Sequence, residues 1–192
     1  MKKLSTLFKK HPKDLGRVID ELNPENEWVF EYGRPTRKFD GTSCAIIDGE
    51  LYKRYDAKKN KKGVKKTIPL GAIPCQQADE KSGHHPHWIK CSRDDNSNKY
   101  HFEAFDKLEC KVEVLDGTYE LCGNKIQGNP EKLNGHFLIR HGCEKLSLED
   151  DSFEYIKQFL IDNNIEGIVF HHREDNRMCK IRKTDFGIRR YY

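Results

Sequence analysis

The sequence predicts an α+β domain of antiparallel sheets with flanking helices. Three features point there: many short runs rich in β-branched and aromatic residues, an Asp48-Gly49 pair set between two of those runs, and one clear amphipathic helical stretch. At 192 residues the chain has the length of a single domain, residues 1–192, with room for one real core.

Taken in order, residues 27–32 (EWVFEY) read as a strand. Residues 43–47 (SCAII) and 50–55 (ELYKRY) flank Asp48-Gly49, the favoured signal for a two-residue hairpin turn. A turn centred there makes residue i face residue 97 − i, so Arg54 lies across from Ser43. Residues 118–122 (TYELC) alternate, with Thr118, Glu120 and Cys122 on one face and Tyr119 and Leu121 on the other; residues 136–140 (HFLIR) alternate too. A helix is predicted over 149–162, with Phe153, Ile156, Phe159 and Leu160 on one stripe and Asn163-Asn164 ending it. Two strands follow, Glu166 to His171 and Met178 to Lys183. Residues 74–99, mixing Pro, Gly, His and polar residues, read as a long functional loop.

Composition narrows the class. Hydrophobic residues make up 35% and charged ones 34%, yet ten Phe, eight Tyr and two Trp argue against disorder. No apolar run approaches the roughly 18 residues of a membrane span, and MKKLSTLFKKHPKD leads into no signal-peptide core. The expectation is therefore no membrane and a cytoplasmic location. Seven cysteines without a repeating framework fit reduced thiols. The net charge is only +4, but it is unevenly spread. Between Lys53 and Lys66 lie eight basic residues (Lys53, Arg54, Lys58, Lys59, Lys61, Lys62, Lys65, Lys66) and one acid, Asp56. Lys2, Lys3, Lys9, Lys10 and Lys13 form a second cluster, and Arg189 and Arg190 lie near the end. Basic stretches beside Tyr52, Tyr55, Tyr191 and Tyr192 suit a phosphate backbone with bases to stack on; a solvated lysine-rich loop is the plainer reading.

Lys38-Phe39-Asp40-Gly41 opens the candidate chemistry. The motif is weak alone, and the hairpin strengthens it by bringing the fixed cation Arg54 within a few residues of Lys38. Gly41 would let a backbone approach a ligand, and Asp40 would orient the lysine. Glu120 sits on a strand face, and Glu166 opens the apolar run Ile168-Val169-Phe170. On the last strand Lys180 and Arg182 share a face, with Lys183 opposite. Each carboxylate alone reads more readily as an ordinary exposed or paired residue. Together, one lysine, an arginine, two glutamates and a second basic pair are what phosphoanhydride chemistry with a divalent metal requires.

These strings resemble the covalent nucleotidyltransferases, the superfamily of ATP-dependent RNA and DNA ligases and mRNA capping enzymes. KFDG with Lys38, YKRYD with Arg54, GTYELCGNKIQGNPE with Glu120, EGIVF with Glu166 and CKIRK with Lys180 follow that superfamily's motif order. EYGRPTRKFDGTSC, the IPCQ…SGHHPHW stretch, HFLIRHG and EGIVFHH are closer still to the small 5′–3′ RNA ligases of animals and some viruses, over about residues 30–187. The resemblance implies an adenylyltransferase (ATP-grasp-like) domain. It implies ATP and Mg²⁺ as cofactors, with Mn²⁺ as a substitute, and a monomer acting on RNA with 5′-phosphate and 3′-hydroxyl ends. Lys38 would be the nucleophile, with Lys180 and Arg182 on the α-phosphate. Thr36 would neighbour the adenine and Phe137 would cover it. Asp40, Gly41 and Arg54 would line the nucleotide site, Glu166 would serve the metal, and Glu120 the ribose or the metal. Lys58, Lys59, Lys61, Lys62, Lys65 and Lys66 would hold the RNA backbone.

The nucleophile must be neutral, and lowering a lysine by about three units from its usual pKa of about 10.4 corresponds to roughly 4 kcal/mol. Arg37, Lys180, Arg182 and the metal would push in that direction. Two departures stand out. The superfamily's usual Lys-x-Lys is Lys180-Ile181-Arg182 here, which keeps the charge. The OB domain of DNA ligases and capping enzymes is not expected, because no sequence follows Tyr192. Competing readings are a capping-type guanylyltransferase, a minimal DNA ligase, and an RNA-binding module that has lost the chemistry. Cys75, His84, His85, His87, Cys91 and His101 lack the paired spacing of a zinc site. His84, His85 or Trp88 would instead meet the RNA 5′-phosphate or stack on a base, a structural loop being the alternative.

Overall fold

The computed structural model describes residues 4–57, 66–78, 83–109 and 114–190. In chain order its elements are β1 (Ser5–Thr6), β2 (Phe8–His11), β3 (Asp14–Leu22), α1 (Val29–Tyr32), β4 (Gly33–Lys38), β5 (Thr42–Ile47), β6 (Glu50–Ala57) and β7 (Ile73–Pro74). There follow β8 (His85–Lys90), α2 (Lys99–Glu109), β9 (Gly117–Gly123), β10 (His136–Arg140), α3 (Phe153–Asp162), β11 (Gly167–His172) and β12 (Met178–Arg182). The fold is mixed α+β with mostly antiparallel sheets, and among the described residues no helix is long and apolar enough to cross a membrane. The chain comprises two compact units, Gly41–Arg140 and Lys3–Asp40 with His141–Tyr192.

The second unit carries a four-stranded sheet in the order β1-β12-β11-β4, parallel only between β1 and β12. Its strands alternate. Ile168 and Phe170 of β11 and Cys179 and Ile181 of β12 enter a core with Ile156 and Leu160 of α3, Trp28, Val29 and Phe8. The other face is left for Lys38, Lys180 and Arg182. Register places Gly167 between Lys38 and Arg182, and Val169 between Thr36 and Lys180.

The Gly41–Arg140 unit is a six-stranded antiparallel sheet, β10-β9-β5-β6-β8-β7, with α2 against one face. Cys44, Ile46, Leu51, Tyr119, Leu121 and Leu138 form its core with Ala104 and Phe105. The predicted hairpin is present in the predicted register, Cys44 facing Lys53 and Ile47 facing Glu50. Asp48 (φ 52°) and Gly49 (φ 74°) both take the left-handed conformation of a two-residue turn. The Asp116 carboxylate accepts from both turn N–H groups, at 2.8 and 3.1 Å.

Three expectations are corrected. EWVFEY is no strand: Asn23 caps a 3-10 turn with Pro24 at its start, and α1 follows. Trp28 and Val29 are both buried, and adjacent residues cannot both face the core from a strand. Residues 74–99 are not one loop, because they contain β8 and end in α2, whose Phe102, Ala104, Phe105 and Leu108 pack on the sheet. The later helix begins at Phe153 rather than 149, although its apolar stripe is as predicted.

Gly167 has no room for a side chain: a Cβ there would meet the Ile181 carbonyl oxygen at 2.3 Å and Arg182 Cα at 2.8 Å. Gly167→Ala is expected to cost about 1–3 kcal/mol in urea unfolding, the range for overpacking.

Candidate active site

Lys38 ends β4, and its Nζ donates to Glu166 Oε2 at 2.5 Å and to the Phe39 carbonyl at 3.4 Å. Glu166 stands one residue before β11, where the chain leaves α3 and enters the sheet, so strand pairing fixes both partners. Both are about one-fifth exposed, open enough for exchange yet shielded from bulk water. Lys180 and Arg182 rise from β12 on the same sheet face.

Arg182 is held from behind. Asp185, wholly buried, accepts from Arg182 at 2.9 and 3.2 Å through the guanidinium and at 2.9 Å through the backbone N–H, and from Lys10 at 2.6 Å. Burial alone would raise Asp185, but the bonds from Arg182 and Lys10 outweigh it and hold the carboxyl below its ordinary range. The hydrogen bond to Asp185 in turn raises Arg182 further. Arg182 is thus a fixed, permanently charged fork with a third of its side chain open. Lys180 is opposite in character: burial, then Arg182 and Lys38, push its amine down to about 8. Three cations on one sheet face repel one another, and Lys180 carries the cost.

Other expected residues are placed differently. Thr36 is wholly buried; its hydroxyl donates to the Val169 carbonyl at 3.1 Å and meets His171 Nε2 at 3.1 Å. A carbonyl only accepts, so the hydroxyl proton goes to Val169 and His171 Nε2 donates. Asp40 lies 3.6 Å from the buried Arg190, leaving Glu166 as the carboxylate on Lys38. Arg37 binds Glu144 at 3.2 Å and stacks over Phe39, so its charge is offset by a carboxylate.

In the Gly41–Arg140 unit the face away from α2 carries a row across the sheet. Glu120 faces Ser43, the hairpin register continues Ser43 to Arg54, Arg54 faces Trp88 and Trp88 faces Ile73. Arg54 donates to Asp56 at 3.1 Å, and His84 lies 3.1 Å from the same oxygen. Burial would raise Asp56, but those two partners hold it low. Arg54 also stands 6.0 Å over Trp88, which is buried and so forms a floor for the guanidinium rather than an open stacking surface. The Ser43 hydroxyl is buried with no protein partner. Phe137 is half-buried outside the core cluster, with Lys107 Nζ 5.1 Å over its ring. His85 packs against His87 at 4.2 Å. Gly41 serves close strand packing, since a Cβ would meet Leu121 O at 2.2 Å.

Lys58, Lys59, Lys61, Lys62 and Lys65 lie outside the described residues, as do Lys2, Lys3, Tyr191 and Tyr192; Lys66 is exposed. Sequence reasoning missed Asp185 and Lys10. An aspartate three residues after Arg182 was a readable signal for a capping contact, whereas the Lys10 pairing spans 175 positions and was not. Among the described residues no group of three or more His, Cys, Asp or Glu side chains could hold a metal ion.

No protein-family model matches the chain, and no curated protein matches it.

The Lys180 amine should titrate near pH 8 by lysine-selective NMR, against 10.5 for a free lysine. The folded value is the lower one, so the charged amine costs stability fully below about pH 8, and that cost fades as pH rises towards 10.5. Lys180→Met is expected to raise unfolding free energy at pH 7 by roughly 1–3 kcal/mol, with the gain gone by about pH 10.5.

Proposed function

We propose that the chain is an ATP-dependent RNA ligase that joins 5′-phosphate and 3′-hydroxyl RNA ends through a covalent lysyl-AMP, on an adenylyltransferase-type fold. The observation carrying this reading is the Lys38–Glu166 pair set beside Lys180 and Arg182 on the sheet face opposite the apolar core of that unit. A nucleophilic amine, a proton acceptor and two phosphate-binding cations are the minimum set for attack on a phosphoanhydride.

The steps follow from these groups. Glu166 Oε2 takes the ammonium proton across the existing hydrogen bond. Lys38 Nζ then attacks the α-phosphorus of ATP; a P–N bond forms, the P–O bond to the β-phosphate breaks, pyrophosphate leaves with the electron pair, and the second proton released from the nitrogen passes to water. Arg182, fixed by Asp185, and Lys180 hold the oxygens of the reacting phosphate as charge gathers on them. In the second step an oxygen of the RNA 5′-phosphate displaces Lys38 from the AMP phosphorus. In the third a 3′-hydroxyl attacks the activated 5′-phosphorus, closes the strand and releases AMP.

The donor set suits Mg²⁺ in one mode. Asp185 is saturated by Arg182 and Lys10, so Glu166 is the carboxylate of this cluster able to serve a cation held mainly by phosphate oxygens and water. Bound there, the ion would offset charge on the leaving pyrophosphate. The Glu120–Ser43–Arg54 row has the carboxylate, hydroxyl and guanidinium that ribose hydroxyls and phosphates select. A guanylyltransferase or DNA ligase would use the same groups, and nothing in this geometry favours either.

The test is uptake of labelled nucleotide. The native chain with Mg²⁺ is expected to bind label from α-labelled ATP and not GTP, and to seal broken RNA in preference to nicked DNA. Lys38→Ala should retain no label, and Arg182→Ala should slow labelling by 10²-fold or more, on the scale of losing an electrostatic contact to the reacting phosphate. Label retained by Lys38→Ala would end the nucleophile assignment.

A further inference from the structure

Residues 66–74 carry a feature that the nucleotidyl-transfer reading does not use. Leu70 is fully exposed, and Ile68 and Ile73 beside it are 38% and 39% exposed. The segment is built rather than loose. Ala72 N–H donates to the Pro69 carbonyl at 3.2 Å, and Gly71 at φ 78° supplies the left-handed residue that a type II turn needs after Leu70. Tyr55 donates its hydroxyl to the Thr67 carbonyl at 2.8 Å on one side of the turn. On the other side, β7 pairs with β8, and Cys75 N–H reaches the Pro86 carbonyl at 2.9 Å. A leucine is therefore held fully exposed at the apex of a pinned turn, with none of the described residues of its unit covering it, which costs hydration free energy without returning packing.

The surroundings select the partner. Ile73 sits in register with Trp88 and Arg54, so the apolar edge continues the polar row described above. Lys66 is exposed and stands 5.4 Å over the Tyr55 ring. In sequence this segment follows directly on the lysine-rich run that begins at Lys53. An aliphatic tip next to cations is the pairing that nucleic-acid proteins use when a side chain stacks on or separates bases while lysines hold the phosphates. A protein partner would ask for a broader apolar patch than one turn provides.

We infer that Leu70, steadied by the Pro69–Ala72 turn, is a wedge that packs against an unstacked base of single-stranded RNA, with Lys66 on the adjoining phosphate. The inference rests on the proposed RNA substrate and assigns part of its recognition to the β7 edge.

The test uses the full chain in a Lys38→Ala background without ATP, so binding is read apart from chemistry. A fluorescein-labelled oligoribonucleotide reports affinity by anisotropy, single-stranded or annealed to its complement. The same strand with 2-aminopurine at each position in turn reports unstacking. Leu70→Ala is expected to weaken single-strand binding roughly tenfold, to leave duplex binding unchanged, and to abolish a fluorescence rise at one or two positions. Lys66→Ala should reduce the slope of log affinity against log salt by roughly 0.7. The wedge is overturned if Leu70→Ala keeps both affinity and the fluorescence pattern. It is equally overturned if light scattering shows a dimer of the native chain that Leu70→Ala dissolves while RNA binding persists. Failure of the native chain to form a lysyl-AMP would sink the ligase reading alone, because none of these readouts passes through that adduct.

Discussion

A sheet with one face in a core must do something with the other, and here that constraint organises the second unit. Ile168, Phe170, Cys179 and Ile181 spend one face on packing, so strand alternation obliges Lys38, Lys180 and Arg182 to share the opposite one. Three cations at strand spacing are unfavourable, and the molecule offsets them unequally. Glu166 neutralises Lys38, Asp185 anchors Arg182, and Lys180 is left with a depressed amine. A charged amine at Lys180 is destabilising where an apolar side chain would not be, because burial and the neighbouring cations both oppose it.

The two carboxylates differ in a way that bears on chemistry. Asp185 is fully buried and bonded on both oxygens, so it serves as a fixed counter-charge that aims Arg182. Glu166 is partly open and holds Lys38 through a single carboxylate oxygen; on the proposed reading, that bond breaks or transfers its proton before the amine reacts. One pair is buried and bonded at both oxygens, and the other is partly open to solvent.

Much of this was legible in the sequence because it depends on short-range periodicity. The Asp48-Gly49 turn set its own register, and alternation grouped Tyr119 with Leu121, which enter the core, and Lys180 with Arg182, which share the opposite face of the other sheet. It did not show that Glu120 and Cys122 are buried too. The failures share a cause. EWVFEY has strand-forming residues, but the Asn23-Pro24 turn start set the backbone before propensity could act. β8 hides its alternation in His85-Pro86-His87-Trp88, where Pro86 and both histidines mask the period. Asp40 sits nearest to Lys38 in sequence, yet the strand pairing of β4 with β11 brought Glu166 to it across 128 positions. Pairings of that length are set by the sheet, and no local pattern announces them.

The central claim is that the Lys38 amine forms a bond to phosphorus. Its most direct measurement is the intact mass of the native chain after incubation with ATP and Mg²⁺, followed by peptide mapping at a pH that preserves phosphoramidates. The account predicts one added adenylate, carried by the peptide containing Lys38 and removed by pyrophosphate. An unmodified chain, or an adenylate mapped to Lys180 or any other residue, would contradict it.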